Sequence, residues 1–268
     1  MNDKISALKA ELAQLKLQFS DKVSEVESRL KHLIEQNSQQ FSYRSLSSQQ
    51  PLSNNLSNAE CVILLHGLAR SASSMGAIEK RLLAEGYHVI NIDYPSRDYS
   101  IEELAEQVFT KALLECANRK VNFVTHSMGG ILVRQYLSKH KINELNKVVM
   151  LGPPNNGSEV VDKLINIPGF SFINGDAGMQ LGTSKFSVPN ILGSADFNLG
   201  IIAGNQSVNL FLSTLIPDKD DGKVSVKSTK LDGMNDHIEM ETTHPFMVRN
   251  EKVIDQVIYY LKTGAFQK

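Results

Sequence analysis

The chain has 268 residues, of which 41% are hydrophobic, and it carries a formal net charge of -1 at pH 7. This length supports one sizeable core with an added segment, and the near-neutral charge gives no strong preference for nucleic acid or an anionic membrane. The two cysteines have no metal-ligand spacing, and no apolar run approaches membrane-spanning length. We therefore expect no nucleic-acid partner and no metal site.

The cysteines and the first residues bear on the compartment. Cys61 is predicted to open a strand and Cys116 to lie in a helix, so we expect buried thiols rather than a disulfide. The first residues show no basic-then-apolar signal sequence. Both features favour a reducing, cytoplasmic setting.

Residues 1–36 form one long helical pattern without Pro or Gly. Its apolar residues recur at alternating steps of three and four with one stutter, and they are Ile5, Leu8, Leu12, Leu15, Phe19, Val23, Val26, Leu30 and Leu33. This narrow seam predicts a coiled coil, and self-association is the favoured hypothesis. A helix that docks on the rest of the chain is one alternative. An amphipathic membrane helix is another, and it is disfavoured because basic and acidic residues balance here.

Residues 37–60 are polar, repetitive and aperiodic, with Ser, Asn and Gln prominent. This composition predicts a flexible linker between the helix and the remainder of the chain.

From residue 61 onward, strand and helix patterns alternate. Strands are predicted at 61–65, 87–92, 121–126, 147–151, 200–204 and 238–241, and helices at about 75–85, at 101–118, after Ser127 and at 250–262. This repetition predicts an α/β domain over 61–268, with a mostly parallel sheet flanked by helices. Residues 153–198 interrupt the rhythm and are rich in Gly, Pro, Asn and Ser, which predicts a cap or lid over the carboxyl edge of the sheet.

The third predicted strand ends in His126-Ser127-Met128-Gly129-Gly130, and a helical pattern follows at once. A strand, a sharp turn that carries a serine and then a helix are the context of a nucleophile elbow. Gly129 would let the helix pass close to the sheet. Thr125 departs from the glycine expected two residues before the serine. The alternative is a Ser-Gly turn without chemical importance, which the partners described next argue against.

His244 is the candidate base, because it follows the last predicted strand and can reach over Ser127. His237 is a rival that precedes that strand and should lie at the wrong edge of the sheet. His126 flanks the nucleophile and is interpreted as structural. A plain surface or core histidine at 244 remains an alternative.

Asp221 is the candidate acid, in an acidic loop that ends in Asp-Gly. Asp218 and Asp220 are rivals, and such a loop is often only a solvated turn. The order Ser127, Asp221, His244 is the Ser…Asp…His order of α/β-hydrolases.

Backbone N–H groups are the candidate oxyanion donors. Met128 follows the nucleophile at the start of its helix, where free amides favour negative charge. Leu68 follows His66-Gly67 after the first strand, and Gly67 allows the backbone to turn inward.

Taken together, the chain from about 61 to its end resembles α/β-hydrolases of the bacterial lipase and esterase branch. The motifs that carry the resemblance are His66-Gly67-Leu68-Ala69-Arg70, Tyr94-Pro95-Ser96-Arg97, Thr125 to Gly130, Gly152 to Ser158, Asp221-Gly222 and His244. The resemblance implies a compact member of that fold without the two outermost N-terminal strands of larger members. It also implies a Ser-His-Asp hydrolase that needs no cofactor and acts on carboxylic esters, often of lipids.

We therefore expect a serine hydrolase that cleaves acyl esters of small molecules or lipids through an acyl-enzyme. A thioesterase, amidase or acyltransferase would use the same groups, since a fold does not fix the substrate. A non-catalytic scaffold that recruits partners through residues 1–36 is the alternative of a different class. Membrane contact by those residues stays open.

Overall fold

A computed structural model of the chain describes residues 59–208 and 213–268. The predicted helix at 1–36 and residues 37–58 of the linker predicted at 37–60 lie outside the described residues. Six strands are described, namely β1 (Cys61–Leu65), β2 (His88–Ile92), β3 (Val121–His126), β4 (Leu145–Leu151), β5 (Leu199–Gly204) and β6 (Asp236–Met240). The α-helices are α1 (Gly76–Ala84), α2 (Ile101–Cys116), α3 (Met128–Leu137), α4 (Glu159–Leu164), α5 (Phe170–Met179), α6 (Val188–Ile191), α7 (Val226–Thr229) and α8 (Glu251–Thr263). Short 3-10 turns occupy Ala72–Met75 and Met247–Arg249.

The six strands form one sheet in the order β2-β1-β3-β4-β5-β6, and all neighbours in it are parallel. The predicted α/β architecture is thereby confirmed. The chain runs from β1 outward to β2 and then returns to place β3 on the other side of β1. In open parallel sheets, ligands bind beyond the carboxyl ends of the strands at such a reversal. The loops after β1 and β3 are therefore the expected position of a site.

Both faces of the central strands are buried, which explains their continuous apolar sequence. Successive side chains of a strand point to opposite faces. Ile63 accordingly packs in one apolar layer with residues of α2 and α3, whereas Val62 packs in the other with residues of α1 and α8. Helices on both faces thus hold the sheet rigidly behind its carboxyl edge.

The predicted boundaries are close to those observed. The strands at 61–65 and 121–126 agree with the prediction, while β4 and β6 each begin two residues before the predicted start. Within the described part of the chain, no helix is both long and apolar enough to cross a membrane.

The prediction of two buried thiols is wrong, because Cys61 and Cys116 form a disulfide. Both residues are fully buried, and their Cα atoms lie 5.6 Å apart. The parallel pairing of β1 with β3 explains the contact, since Cys61 lies opposite Val121. Cys116 ends the helix that leads into β3, so the chain returns it to the start of β1. This pairing weakens the expectation of a reducing setting, because disulfides persist in oxidising compartments.

The irregular segment between β4 and β5 contains three short helices, α4, α5 and α6. Residues of α4 and α5 lie against the loops that follow β1 and β3, where they help to line the cavity described below.

Candidate active site

Ser127 occupies the sharp turn between β3 and α3. Its φ of 55° and ψ of -124° are unusual for a residue with a side chain, and such strain is often found at functional positions. The turn is held on both sides, since the Ser127 N–H donates to the Leu151 carbonyl and the Gly130 N–H donates to the Ser127 carbonyl. The strained turn places the serine hydroxyl beyond the end of the sheet.

Gly129 explains how α3 can begin so close to the strands. A Cβ at this position would lie 2.7 Å from the Leu65 carbonyl oxygen and 2.9 Å from that of His66, closer than side-chain atoms come to a backbone. Thr125 causes no comparable conflict, because its side chain is accommodated fully buried within β3. The departure from glycine at 125 therefore leaves the elbow intact.

The structure brings Ser127, His244 and Asp221 into one hydrogen-bonded series. His244 Nε2 lies 3.0 Å from Ser127 Oγ, and His244 Nδ1 lies 2.7 Å from Asp221 Oδ2. The carboxylate can only accept, so Nδ1 carries the proton and Nε2 is left to accept from the serine hydroxyl. His244 and Asp221 are almost completely buried, whereas Ser127 remains partly accessible. This arrangement can remove a proton from the serine oxygen.

Asp221 is held in place by the backbone around it. Its Oδ1 accepts hydrogen bonds from the N–H groups of Lys223 at 3.0 Å and Val224 at 2.9 Å. The Asp221 carbonyl also accepts from the His244 N–H at 2.8 Å, which joins the two loops directly. Asp220 instead accepts from Ser213 Oγ and the Gly222 N–H. The structure therefore brings Asp221, and not Asp220, to the histidine.

The other acidic and histidine candidates from the sequence either lie away from Ser127 or make different hydrogen bonds. Asp218 is exposed. His237 lies inside β6 rather than before it, with Nε2 3.0 Å from Thr229 Oγ1. His126 lies beside His244, and its Nε2 donates to the His244 carbonyl at 2.9 Å. Burial, followed by the neighbouring His244, holds the pKa of the His126 imidazole well below its usual value. A neutral His126 thus fastens the backbone of the His244 loop.

The two predicted oxyanion donors flank the serine on adjacent loops. Met128 is the first residue of α3, and Leu68 lines the same cavity as Ser127. Among the described residues, no group accepts a hydrogen bond from either backbone N–H. Both amides are therefore available to an oxygen that develops negative charge next to Ser127.

Ser96 supports this loop, a role that the sequence did not assign to it. Ala69 has a positive φ of 55°, and its N–H donates to Ser96 Oγ at 3.0 Å. Tyr94 stacks on His66 and donates its hydroxyl hydrogen to the His66 carbonyl. These contacts from the segment after β2 fix the backbone on both sides of Leu68. The motif Tyr94-Pro95-Ser96-Arg97 was the only sequence signal for them.

A cavity of about 210 Å³ opens beside Ser127 and His244. Its apolar wall comes from Leu68 and from the segment between β4 and β5, through Val160, Val161, Leu164, Phe170 and Leu181. Two basic residues, Arg70 and Lys223, line the same cavity, and no acidic residue does. Arg70 lies two positions after Leu68, and Lys223 lies two positions after Asp221. Sequence reasoning missed them, because a single basic residue in a loop carries no pattern.

In the described ranges, no group of three or more His, Cys, Asp or Glu residues could hold a metal ion.

Comparison with known proteins agrees with the architecture. Residues 60–170 match the sequence model of a family described as "alpha/beta hydrolase fold". This segment includes the strand before Leu68, the turn at Ser127 and the first helix after β4. No curated protein sequence matches the chain.

Solved structures are similar to this chain over most of the described region. The mature lipase BlEst2 from Bacillus licheniformis matches with a TM-score of 0.59 and 18% identity, over 79% of this chain and 96% of that one. The metagenomic carboxyl esterase MGS0156 matches with a TM-score of 0.57 and 16% identity, over 74% and 68%. Phospholipase PlaB from Legionella pneumophila matches with a TM-score of 0.54 and 18% identity, over 65% and 45%. The described part of the chain therefore has the α/β-hydrolase fold, and it resembles bacterial lipases and esterases with that fold.

Proposed function

We propose that the protein is a serine hydrolase that cleaves carboxylic esters through an acyl-enzyme, with Ser127 as nucleophile, His244 as base and Asp221 as the orienting acid. One observation carries this proposal. The Ser127 hydroxyl, the His244 imidazole and the Asp221 carboxylate are joined at 3.0 Å and 2.7 Å beside an apolar cavity. These distances are within the range over which a base removes a proton from a nucleophile.

In the first half of the proposed reaction, Ser127 Oγ attacks the ester carbonyl while its proton passes to His244 Nε2. The carbonyl oxygen becomes negative and accepts hydrogen bonds from the N–H groups of Leu68 and Met128. Asp221 keeps Nδ1 protonated and stabilises the positive imidazolium. The C–O bond of the ester then breaks, and the proton on Nε2 leaves with the alcohol.

In the second half, water replaces the alcohol. His244 removes a proton from the water molecule, and the resulting hydroxide attacks the acyl carbon. The bond to Ser127 Oγ breaks, the serine recovers its proton and the carboxylic acid departs. The same amides stabilise the oxyanion in both halves, so one set of donors serves the whole cycle.

The cavity indicates an acyl group of limited length. Its volume of about 210 Å³ is below the roughly 300–1,000 Å³ of pockets that enclose a drug-sized ligand. The apolar side chains of the cap suit an aliphatic chain. Small-molecule esters and lipid esters with short to medium acyl chains are therefore the proposed substrates.

There are two alternative functions: another reaction at the same site, and a scaffold that does not catalyse a reaction. A thioesterase, amidase or acyltransferase would share the nucleophile and base and differ in the leaving group or the acceptor. A scaffold would have no need for a strained serine, a buried Asp-His pair and two free amides around one cavity. Those features favour catalysis.

Hydrolysis of p-nitrophenyl esters from acetate to palmitate tests the proposal, with the unmodified protein measured beside Ser127→Ala. We expect activity that is highest on short to medium chains and that disappears in the variant. If a folded protein hydrolyses none of these esters, the ester proposal fails and amide, thioester and acyl-transfer substrates take its place. Activity that survives in Ser127→Ala would contradict the assigned nucleophile.

Self-association through residues 1–36 is also proposed, from the heptad pattern alone. The mass of the full chain in solution, compared with that of a chain beginning at Asn58, tests it. We expect the full chain to have the mass of an oligomer and the shorter chain to have the mass of a monomer. If both are monomers, the coiled-coil hypothesis is wrong.

The redox state of the compartment in which the protein resides can be tested directly. A cytoplasmic setting was predicted partly from reduced cysteines, and the disulfide between Cys61 and Cys116 removes that support. Thiol-blocking of the protein as it exists in its own cells, followed by mass measurement, would show free thiols in a reducing compartment and none in an oxidising one.

A further inference from the structure

The wall of the Ser127 cavity has two chemically different sides. The apolar side comes mainly from the cap, through Val161, Leu164 and Phe170. The lining also includes the basic residues Arg70 and Lys223, both of which are exposed to water, and no carboxylate lines the cavity. A neutral acyl ester would use only the apolar side, so the two positive charges need a separate explanation.

The positions of both basic residues are fixed by the catalytic loops themselves. Arg70 follows Ala69, whose N–H donates to Ser96 Oγ at 3.0 Å. The N–H of Lys223 donates to Asp221 Oδ1 at 3.0 Å, and its carbonyl accepts from Ser158 Oγ at 2.8 Å. The same contacts that build the oxyanion loop and hold the acid thus fix the backbone that carries the two basic side chains.

Neither charge is neutralised within the described part of the chain. A few basic residues there do have carboxylate partners, namely Arg81, Lys219, Lys262 and Lys268. No carboxylate lies within ion-pair distance of Arg70 or Lys223, and neither side chain donates a hydrogen bond to a described residue.

The two charges also act on each other. Water reaches the Lys223 side chain, yet protein atoms surround it, and this partial desolvation lowers the pKa of its ammonium group. The charge of Arg70 lowers that pKa further, whereas Asp221 raises it. Asp221 therefore offsets part of the repulsion between the two cations, but its carboxylate contacts His244 and pairs with neither of them. An anion between them would relieve it.

We propose that the ester substrate carries a negatively charged group, a carboxylate or a phosphate, which Arg70 and Lys223 bind while the acyl chain lies along the apolar wall. This inference rests on the proposed ester hydrolysis and names the class of ester. The anionic group belongs to the alcohol part of the substrate, because the acyl part occupies the apolar side. A guanidinium and an ammonium facing one anion give charge-assisted hydrogen bonds, which are about twice as strong as neutral ones.

Matched ester pairs test this proposal. The first pair is 4-(butanoyloxy)benzoate and its neutral counterpart 4-(butanoyloxy)benzamide. The second is 1-octanoylglycerol 3-phosphate and neutral 1-octanoylglycerol. The measured quantity is the ratio of kcat/KM for the anionic ester to kcat/KM for the neutral one. The two pairs separate a small carboxylate ester from a phosphate-bearing acylglycerol as the preferred source of the charge.

The ratio is compared among the unmodified protein, Arg70→Gln, Lys223→Gln and the double variant. We expect it to fall about tenfold in each single variant and further in the double variant, mainly through KM. Arg70→Lys and Lys223→Arg keep the charge and should retain most of the preference. Lys219→Gln is the matched control, since Lys219 lies in the same loop as Lys223 but pairs with Glu239 at 3.5 Å.

The outcomes separate this inference from the function on which it rests. If neutral esters are hydrolysed in a Ser127-dependent manner but the ratio is the same in all variants, the anionic substrate is excluded and the esterase stands. If the folded protein hydrolyses p-nitrophenyl esters but neither member of either pair, the anionic ester is excluded and the esterase stands; if it hydrolyses no ester of any kind, both proposals fail. A fall in kcat for neutral and anionic esters alike would assign the two cations to the oxyanion instead and would overturn the inference.

Discussion

Asp220 and Asp221 are adjacent carboxylates with different surroundings. Asp221 accepts from two backbone N–H groups and contacts His244, whereas Asp220 binds Ser213 and the Gly222 N–H within its own loop. A one-residue step along the chain thus separates the proposed orienting acid from a residue that shapes a turn.

Asp221→Asn should reduce kcat by about 10⁴-fold, because an amide favours the wrong tautomer of the histidine. Asp220→Asn is the matched control and should cost far less, since an amide oxygen can still accept from the Gly222 N–H. Steady-state hydrolysis of the best p-nitrophenyl ester measures both. The opposite order of effects would move the acid to Asp220.

The sequence predicted those candidate site residues whose positions follow from the order of strands, turns and helices along the chain. Ser127 was predicted from strand, turn and helix, and His244 and Asp221 from their positions after strands. Arg70 and Lys223 could not be predicted, because a single basic residue in a loop carries no pattern, although each lies two positions after a predicted site residue.

At the scale of elements, the disulfide joins the start of β1 to the end of α2. The apolar patterns of the sequence predicted both the strand and the helix well, but they did not reveal that β1 pairs with β3. This pairing is a long-range contact that returns Cys116 to Cys61. The error about the cysteines therefore follows from strand order, which local periodicity does not encode.

Removing this disulfide should lower the free energy of unfolding by about 2–4 kcal/mol, because it closes a chain segment of 55 residues in the unfolded state. Urea unfolding of the protein beside Cys61→Ala/Cys116→Ala measures the loss. Two free thiols in the denatured, unreduced protein, together with equal urea midpoints, would contradict the bond.

At the scale of the whole molecule, buried histidines couple stability to pH. Burial is the largest cause that lowers the pKa of the His66, His126 and His237 imidazoles. In the unfolded chain these groups have an ordinary pKa of about 6.5. Below that pH the unfolded state binds more protons than the folded state, so the unfolded state gains stability.

We therefore expect the free energy of unfolding to fall as the pH is lowered from about 7.5 to about 5.5, a window that follows from these imidazoles. Urea unfolding across this range measures the slope. His237→Gln lies away from the cavity and should make the slope shallower without removing it. A free energy of unfolding that stays constant or rises toward pH 5.5 would refute the account of these histidines.

The central claim is that Ser127 is an activated nucleophile, and covalent trapping tests it most directly. A fluorophosphonate probe loses fluoride when a serine oxygen attacks its phosphorus, and the adduct can be weighed and mapped to a residue. We predict one adduct per chain on Ser127, none in Ser127→Ala and very slow labelling in His244→Ala. A folded protein that takes up no probe, or an adduct that persists in Ser127→Ala, would contradict the claim.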